Sequence, residues 1–233
     1  MFNIEESDTA VLVGDGRHDL MALAVAADGS LVASGHPDLR DPDWQRDGKP
    51  PHMGLARSVD GGVDWQQSNL VGEADFHAIV PLTEGGYIAA ESSGSIMSSP
   101  NGIDWDTLAE LELRDLVVNP TTPLHLLGTT YADELQESID GGANWSLVED
   151  APPVALLQWT GAGIVGIRPE GTLLTASSPA GPWTNRAVVS GKPEALLVGE
   201  NLVWVALEGG IVVFAPDADG PFTTLYAAPP ADD

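Results

Sequence analysis

Cysteine is absent from the 233 residues, and lysine occurs only as Lys49 and Lys192. Without thiols, neither disulfides nor thiolate metal sites can form, and the redox compartment cannot be read from the chain. Basic residues are scarce: nine stand against 35 acidic ones, for a formal net charge of −26. Such a field repels phosphate backbones and anionic lipid, which excludes nucleic acid and membrane surfaces as partner classes. No apolar run approaches transmembrane length. The start, Met1 to Glu6, has neither a basic n-region nor an apolar h-region, so a cytoplasmic location is expected, with a truncated secreted form as the alternative. An acidic, lysine-poor surface also suits solubility in strong salt, and an ordinary acidic protein is the competing reading. The 18 prolines and 26 glycines, spread throughout, argue against long helices and for many short strands.

What is present is a repeat. Ser-led turns ending in tryptophan recur at Ser58–Trp65, Ser98–Trp105, Ser138–Trp145 and Ser177–Trp183, with a degenerate copy at Asp219–Phe222. Their aromatic anchors are spaced at a period of about 40 residues, one sheet per repeat, and this predicts an all-β fold, a β-propeller. A single domain is expected over 1–233, with four-stranded repeats at 17–70, 71–110, 111–150, 151–188 and 189–228. Residues 1–16 read as a hairpin resembling half of a sixth blade, and 229–233 as a tail. An insertion, residues 36–53, interrupts the first repeat between its second and third strands. Long connections of this kind are usually functional or disordered.

The turns Ser58-Val59-Asp60-Gly61-Gly62-Val63-Asp64-Trp65 and Ser138-Ile139-Asp140-Gly141-Gly142-Ala143-Asn144-Trp145 match the Asp-box, or BNR, repeat. The chain resembles the sialidase-like Asp-box propellers, and within them a bacterial group loosely labelled glycosyl hydrolases. That closer likeness rests on Val13-Gly14-Asp15 with Asp19-Leu20-Met21, on Ala33-Ser34-Gly35-His36-Pro37-Asp38-Leu39-Arg40 and on Gly72-Glu73-Ala74-Asp75-Phe76-His77-Ala78. The box residues Ser58, Asp60, Trp65, Trp105, Ser138, Asp140, Trp145 and Trp183 are expected to be structural. The carboxylate caps backbone N–H groups, glycine supplies positive φ, and the indole packs between blades. Aligned on tryptophan, the second and fourth turns place Pro100 and Pro179 where the aspartate belongs, which a turn tolerates and a catalytic residue would not.

Strand alternation puts the box turns at one end of each repeat. The lead-ins to first strands and the loops between second and third strands lie at the other, around the central channel. The second end collects His36, Asp38, Arg40, Asp75, His77, Arg114 and Asp115, the candidate ligand-binding residues. A solvated polar rim explains them equally well. A pocket centred on His36, Asp38, Asp75 and His77 would suit a divalent metal, although no cofactor is required.

Active sialidases imply an arginine triad with a tyrosine nucleophile, and Arg40, Arg114, Arg168 and Tyr131 lie at the expected end. The Arg-Ile-Pro signature is missing, and Ile167-Arg168-Pro169 reverses its order. A pair drawn from Asp38, Asp75, Glu91 and Asp115 would serve glycoside hydrolysis. The favoured reading is a non-catalytic propeller that presents its channel face to a protein, a carbohydrate or a small ligand; the alternative is a sialidase-like glycoside hydrolase.

Overall fold

The computed structural model describes residues 2–4, 9–200 and 202–228. The fold is a five-bladed β-propeller, built from five four-stranded sheets, each a meander of consecutive strands. A short hairpin, β1 (Phe2–Ile4) with β2 (Ala10–Leu12), forms a separate two-stranded sheet before the first blade. The first blade comprises β3 (Asp19–Val25), β4 (Leu31–His36), β5 (Leu55–Ser58) and β6 (Gln66–Asn69). In the second are β7 (Phe76–Pro81), β8 (Tyr87–Glu91), β9 (Ser95–Ser99) and β10 (Asp106–Glu110). The third holds β11 (Asp115–Val118), β12 (Leu126–Thr129), β13 (Leu135–Ser138) and β14 (Ser146–Leu147). The fourth runs through β15 (Leu156–Thr160), β16 (Gly163–Ile167), β17 (Thr172–Ala176) and β18 (Thr184–Val188). The last contains β19 (Pro193–Val198), β20 (Val203–Leu207), β21 (Ile211–Ala215) and β22 (Thr223–Ala227). No helix among the described residues is long and apolar enough to cross a membrane.

Contacts divide the chain into two compact units. Among the described residues, one contains Leu12–Leu116 and Asp140–Asn144; the other contains Val117–Ile139 and those from Trp145 to Ala228. In the first unit Val32, Leu55, Phe76, Ile79 and Ala89 form a core shared by the first two blades, with Trp105 against its edge. Middle strands are buried on both faces, as the run from Val32 to Gly35 shows, so they read as continuous apolar or small stretches rather than alternating ones. A polar stitch joins the blades: the Phe76 amide donates to the fully buried Ser34 hydroxyl at 2.9 Å. Two cores serve the second unit, one around Leu127, Leu157 and Leu174 and one around Leu173, Val205 and Leu207.

The Ser-led turns are held by their own side chains. Asp60 accepts from the amides of Val63 and Asp64 at 3.1 Å each, while Ser58 Oγ accepts from Gly62. Asp140 likewise accepts from the Asn144 amide at 2.9 Å. The second turn differs from the tryptophan-based alignment. Ser99 accepts from Gly102, and Asn101 Oδ1 accepts from Ile103 and Asp104, both at 2.9 Å. Thus Asn101, not Pro100, takes the aspartate's part, and one residue fewer separates it from the indole. The four turn tryptophans are half-buried rather than wholly enclosed. Trp65, Trp105 and Trp183 pack against the margins of the cores.

Candidate functional site

The chemistry-bearing residues of the first unit sit where three backbone segments meet: the end of β4, the far end of the 36–53 insertion, and the lead-in to β7. Register fixes the first of these. Asp19 pairs with His36 across β3 and β4. Gly35 is required at this position, with φ of 137°, because a Cβ there would lie 2.2 Å from the Asp19 carbonyl oxygen. The insertion is ordered. Asp41 caps a single 3-10 turn, Pro42–Trp44, which buries Trp44, and Met53 is fully enclosed at its end. These two pack with Ala56, Leu20, Trp65 and Val71 as a small satellite core. Backbone bonds from Met53 to the Gly35 carbonyl and from Gly72 to the His52 carbonyl, each 2.8 Å, return the loop to the blade beside His36. Gly72, with φ of 77°, has no room for a side chain against Lys49 and Arg46.

Within this frame Asp75 is buried at 4% exposure. Its Oδ2 lies 3.2 Å from His77 Nε2 and 3.6 Å from His36 Nε2. His36 Nδ1 faces the exposed Asp19 carboxylate at 3.7 Å. The His52 ring meets the His36 ring edge-on, with centroids 6.0 Å apart. Ligand-capable atoms of His36, His52 and Asp75 all fall within 4.8 Å of one another. Two buried atoms of this group, His52 Nδ1 and Asp75 Oδ1, have no hydrogen-bond partner.

The structure thus brings together three of the expected residues, His36, Asp75 and His77, and adds His52. Asp38 and Arg40 belong to a neighbouring, separate network. Asp38 accepts from the Arg40 amide and guanidinium and from the Arg17 amide, and its own amide donates to His18 Nδ1 at 3.1 Å. The Arg40 guanidinium and these backbone donors hold the Asp38 carboxyl well below the usual carboxylate range. Burial pushes the His18 imidazole down, against an opposing pull from Asp38 and Asp41. A concavity of about 420 Å³ opens beside this second network, lined by His18, Asp41, Trp44, Trp65 and the Val13–Gly16 segment. It does not include His36 or Asp75. Arg114 and Asp115 stand at the start of β11, where Asp115 accepts from the Leu116 amide. Asp115 is not part of the His36–His52–Asp75 group. Arg168 and Tyr131 belong to the second unit.

Glu91 completes the setting. It is buried, and one oxygen accepts from the Asp75 amide and the Ser92 hydroxyl, the other from the Ser93 amide and hydroxyl. Burial alone would raise its pKa, but hydrogen bonds from Ser93, Asp75 and Ser92 outweigh that and lower it.

No protein-family model and no curated protein sequence matches this chain. Solved structures do match in shape. A chain of a nidogen/laminin complex superposes with a TM-score of 0.71 at 13% identity, covering 97% of this chain and 88% of its own length. YCF48 bound to a D1 peptide gives 0.56 at 14% identity, over 91% and 71%. The GH74 xyloglucanase from Xanthomonas campestris gives 0.62 at 15% identity; it spans all of this chain, which accounts for 40% of the enzyme. At such identities the likeness is one of fold, and the fold alone hosts many functions.

Proposed function

We propose that this chain is a non-catalytic binding module whose face around Asp19, His36, Arg40, Asp75 and His77 receives a protein segment. The observation that carries this reading is the state of two of the candidate carboxylates at that end of the blades, Asp38 and Glu91. Glycoside hydrolysis needs one carboxyl that holds a proton near neutrality and a second free to attack or to activate water. Asp38 and Glu91 are instead filled with hydrogen bonds from Arg40, Arg17, Ser92, Ser93 and the Asp75 amide, and both are shifted toward the ionised form. They tie loops down. Structural neighbours include a partner in a nidogen/laminin complex and a peptide-bound YCF48, and protein recognition is a common use of this architecture. A net charge of −26 favours a basic segment as the ligand and accelerates its encounter at low salt.

The test is a peptide-display selection on the whole chain, followed by affinity measurements on variants. Asp19→Ala should weaken binding of an enriched basic peptide by about tenfold or more, equivalent to ~1.4 kcal/mol, whereas Arg40→Ala, which removes a like charge and frees the Asp38 carboxylate, should strengthen it. Val59→Ser and Ile103→Ser, at the opposite ends of the strands, should leave it unchanged. Binding lost only in the second pair would overturn the assignment of the face. Hydrolysis of xyloglucan or aryl glycosides that disappears in Asp38→Asn or Glu91→Gln would overturn the non-catalytic reading.

A further inference from the structure

We infer that His36, His52 and Asp75 form a binding site for a divalent transition-metal ion of the zinc type. This inference stands apart from the peptide-binding reading and does not need it. Imidazole and carboxylate are the donor set that zinc accepts in sites with three protein ligands and one open position. A tetrahedral ion with bonds of about 2.0–2.2 Å places its ligands roughly 3.3 Å apart. The observed atoms, all within 4.8 Å of one another, reach that arrangement through small side-chain adjustments.

The second, independent observation is the pair of orphaned atoms. Asp75 is more than nine-tenths buried and leaves Oδ1 without a partner, and His52 Nδ1 is buried and equally unmatched. Leaving one such buried group unpaired costs about 1–3 kcal/mol. Two belonging to two members of one three-residue cluster are not explained by the packing of the blades, and a cation would satisfy both.

The outer contacts also have the form that metal sites use. His36 directs Nε2 toward Asp75 and Nδ1 toward Asp19, so a carboxylate stands behind the ring as in carboxylate–histidine–metal arrays. His77 Nε2 lies 3.2 Å from Asp75 Oδ2, the oxygen that His36 Nε2 also faces at 3.6 Å, and so helps to orient the carboxylate with Oδ1 left to an ion. His36 retains 40% side-chain exposure, which provides an access route and leaves the fourth position open to solvent or to a donor from a bound ligand. The three ligands come from the end of β4, the end of the insertion and the lead-in to β7, so an ion would cross-link all three segments.

The experiment uses chelator-stripped full-length protein and zinc chloride alone, with equilibrium dialysis at moderate salt and elemental analysis, and cobalt substitution as a spectroscopic probe. One tight equivalent per chain is expected, together with the intense visible absorption of four-coordinate cobalt. His36→Ala and His52→Ala should each abolish the tight equivalent. His125→Ala, which removes another histidine–carboxylate pair (with Glu137), should retain it. Asp19→Ala, at an exposed position that does not threaten folding, should weaken zinc by about ten- to a hundredfold. Tight binding that survives in the His36→Ala/His52→Ala double variant would overturn the site. So would only weak binding of several equivalents that vanishes with added salt, since this is what a diffuse acidic surface produces. If Asp19→Ala leaves the affinity unchanged, the outer-contact argument fails and the site as described is wrong.

Discussion

Replacing tryptophan by phenylalanine at two corresponding turn positions should have very different costs. Trp183 donates Nε1–H to the Pro179 carbonyl at 3.0 Å. Trp105 packs against Phe76 and Tyr87, with ring centroids 4.8 and 6.4 Å away, yet its Nε1 is buried without an acceptor. The substitution deletes the same atoms at both sites, so the loss of apolar contact is similar and largely cancels in the comparison. At position 183 a hydrogen bond worth about 0.5–1.5 kcal/mol is lost. At position 105 an unsatisfied donor costing about 1–3 kcal/mol is removed. Trp183→Phe should therefore be more damaging than Trp105→Phe by about 1.5–4.5 kcal/mol. A value near the lower end is expected, since Trp183 lies partly open to water and the Pro179 oxygen can be rehydrated. Urea titration followed by far-ultraviolet circular dichroism is the suitable assay, because tryptophan fluorescence changes with the substitution itself. The shift in midpoint, multiplied by an unchanged slope, gives the difference. Equal costs, or a larger cost at 105, would refute the reasoning and place a partner on Trp105 Nε1.

Acid should destabilise the first unit in part through Asp38. Its carboxyl stays ionised in the folded chain below the ordinary value of 3.8, so the unfolded state binds the proton first and stability falls as pH drops from about 4. Stability measured from pH 5 to 2 should decline less steeply in Asp38→Asn than in the parent; parallel profiles would remove the carboxylate from the account. His18 should titrate below 6.5 by NMR, because burial and the acceptor role of Nδ1 toward the Asp38 amide both favour the neutral ring. The stability it contributes is complete above 6.5 and declines below it; a titration midpoint above 6.5 would contradict this. Screening should relieve the self-repulsion of 26 net negative charges, so the melting midpoint should rise between dilute buffer and molar potassium chloride, and a flat or falling midpoint would refute it.

The blades were legible because each must turn between its third and fourth strands, and short polar side chains such as Asp60, Asn101 and Asp140 cap backbone amides in the first three of those turns. Each four-stranded sheet lies inside one of the spans marked by the aromatic anchors, for example β7–β10 within 71–110. Alignment on tryptophan failed at the second turn, which is one residue shorter, since the hydrogen-bonding pair Ser99 and Asn101, not the indole, sets the local geometry. At the candidate site, strand direction was enough to bring His36 beside Asp75 and His77. It was not enough to separate Asp38 and Arg40, which pair with each other while Asp38 is tied to Arg17 and His18 earlier in the chain. His52 escaped notice although a signal existed. A loop that leaves β4 and returns to the adjacent β5 must bring its two ends together, and His36 and His52 mark those ends.

The insertion that carries His52 has its own anchorage in Trp44 and Met53, while the β4–β5 ladder pairs only Leu31–Ala33 with Ala56–Ser58. Its exposed stretch from Gln45 to Pro51 takes no part in that ladder and meets the blade through side chains, Arg46 with Gln67 on β6 and Lys49 with Glu73. Changes at its positions other than Arg46 and Lys49 leave both the ladder and those two contacts in place. The loop is thus an exchangeable head on a fixed shaft, a segment of the first unit whose outer surface can be rewritten while its anchors Trp44 and Met53 stay in place.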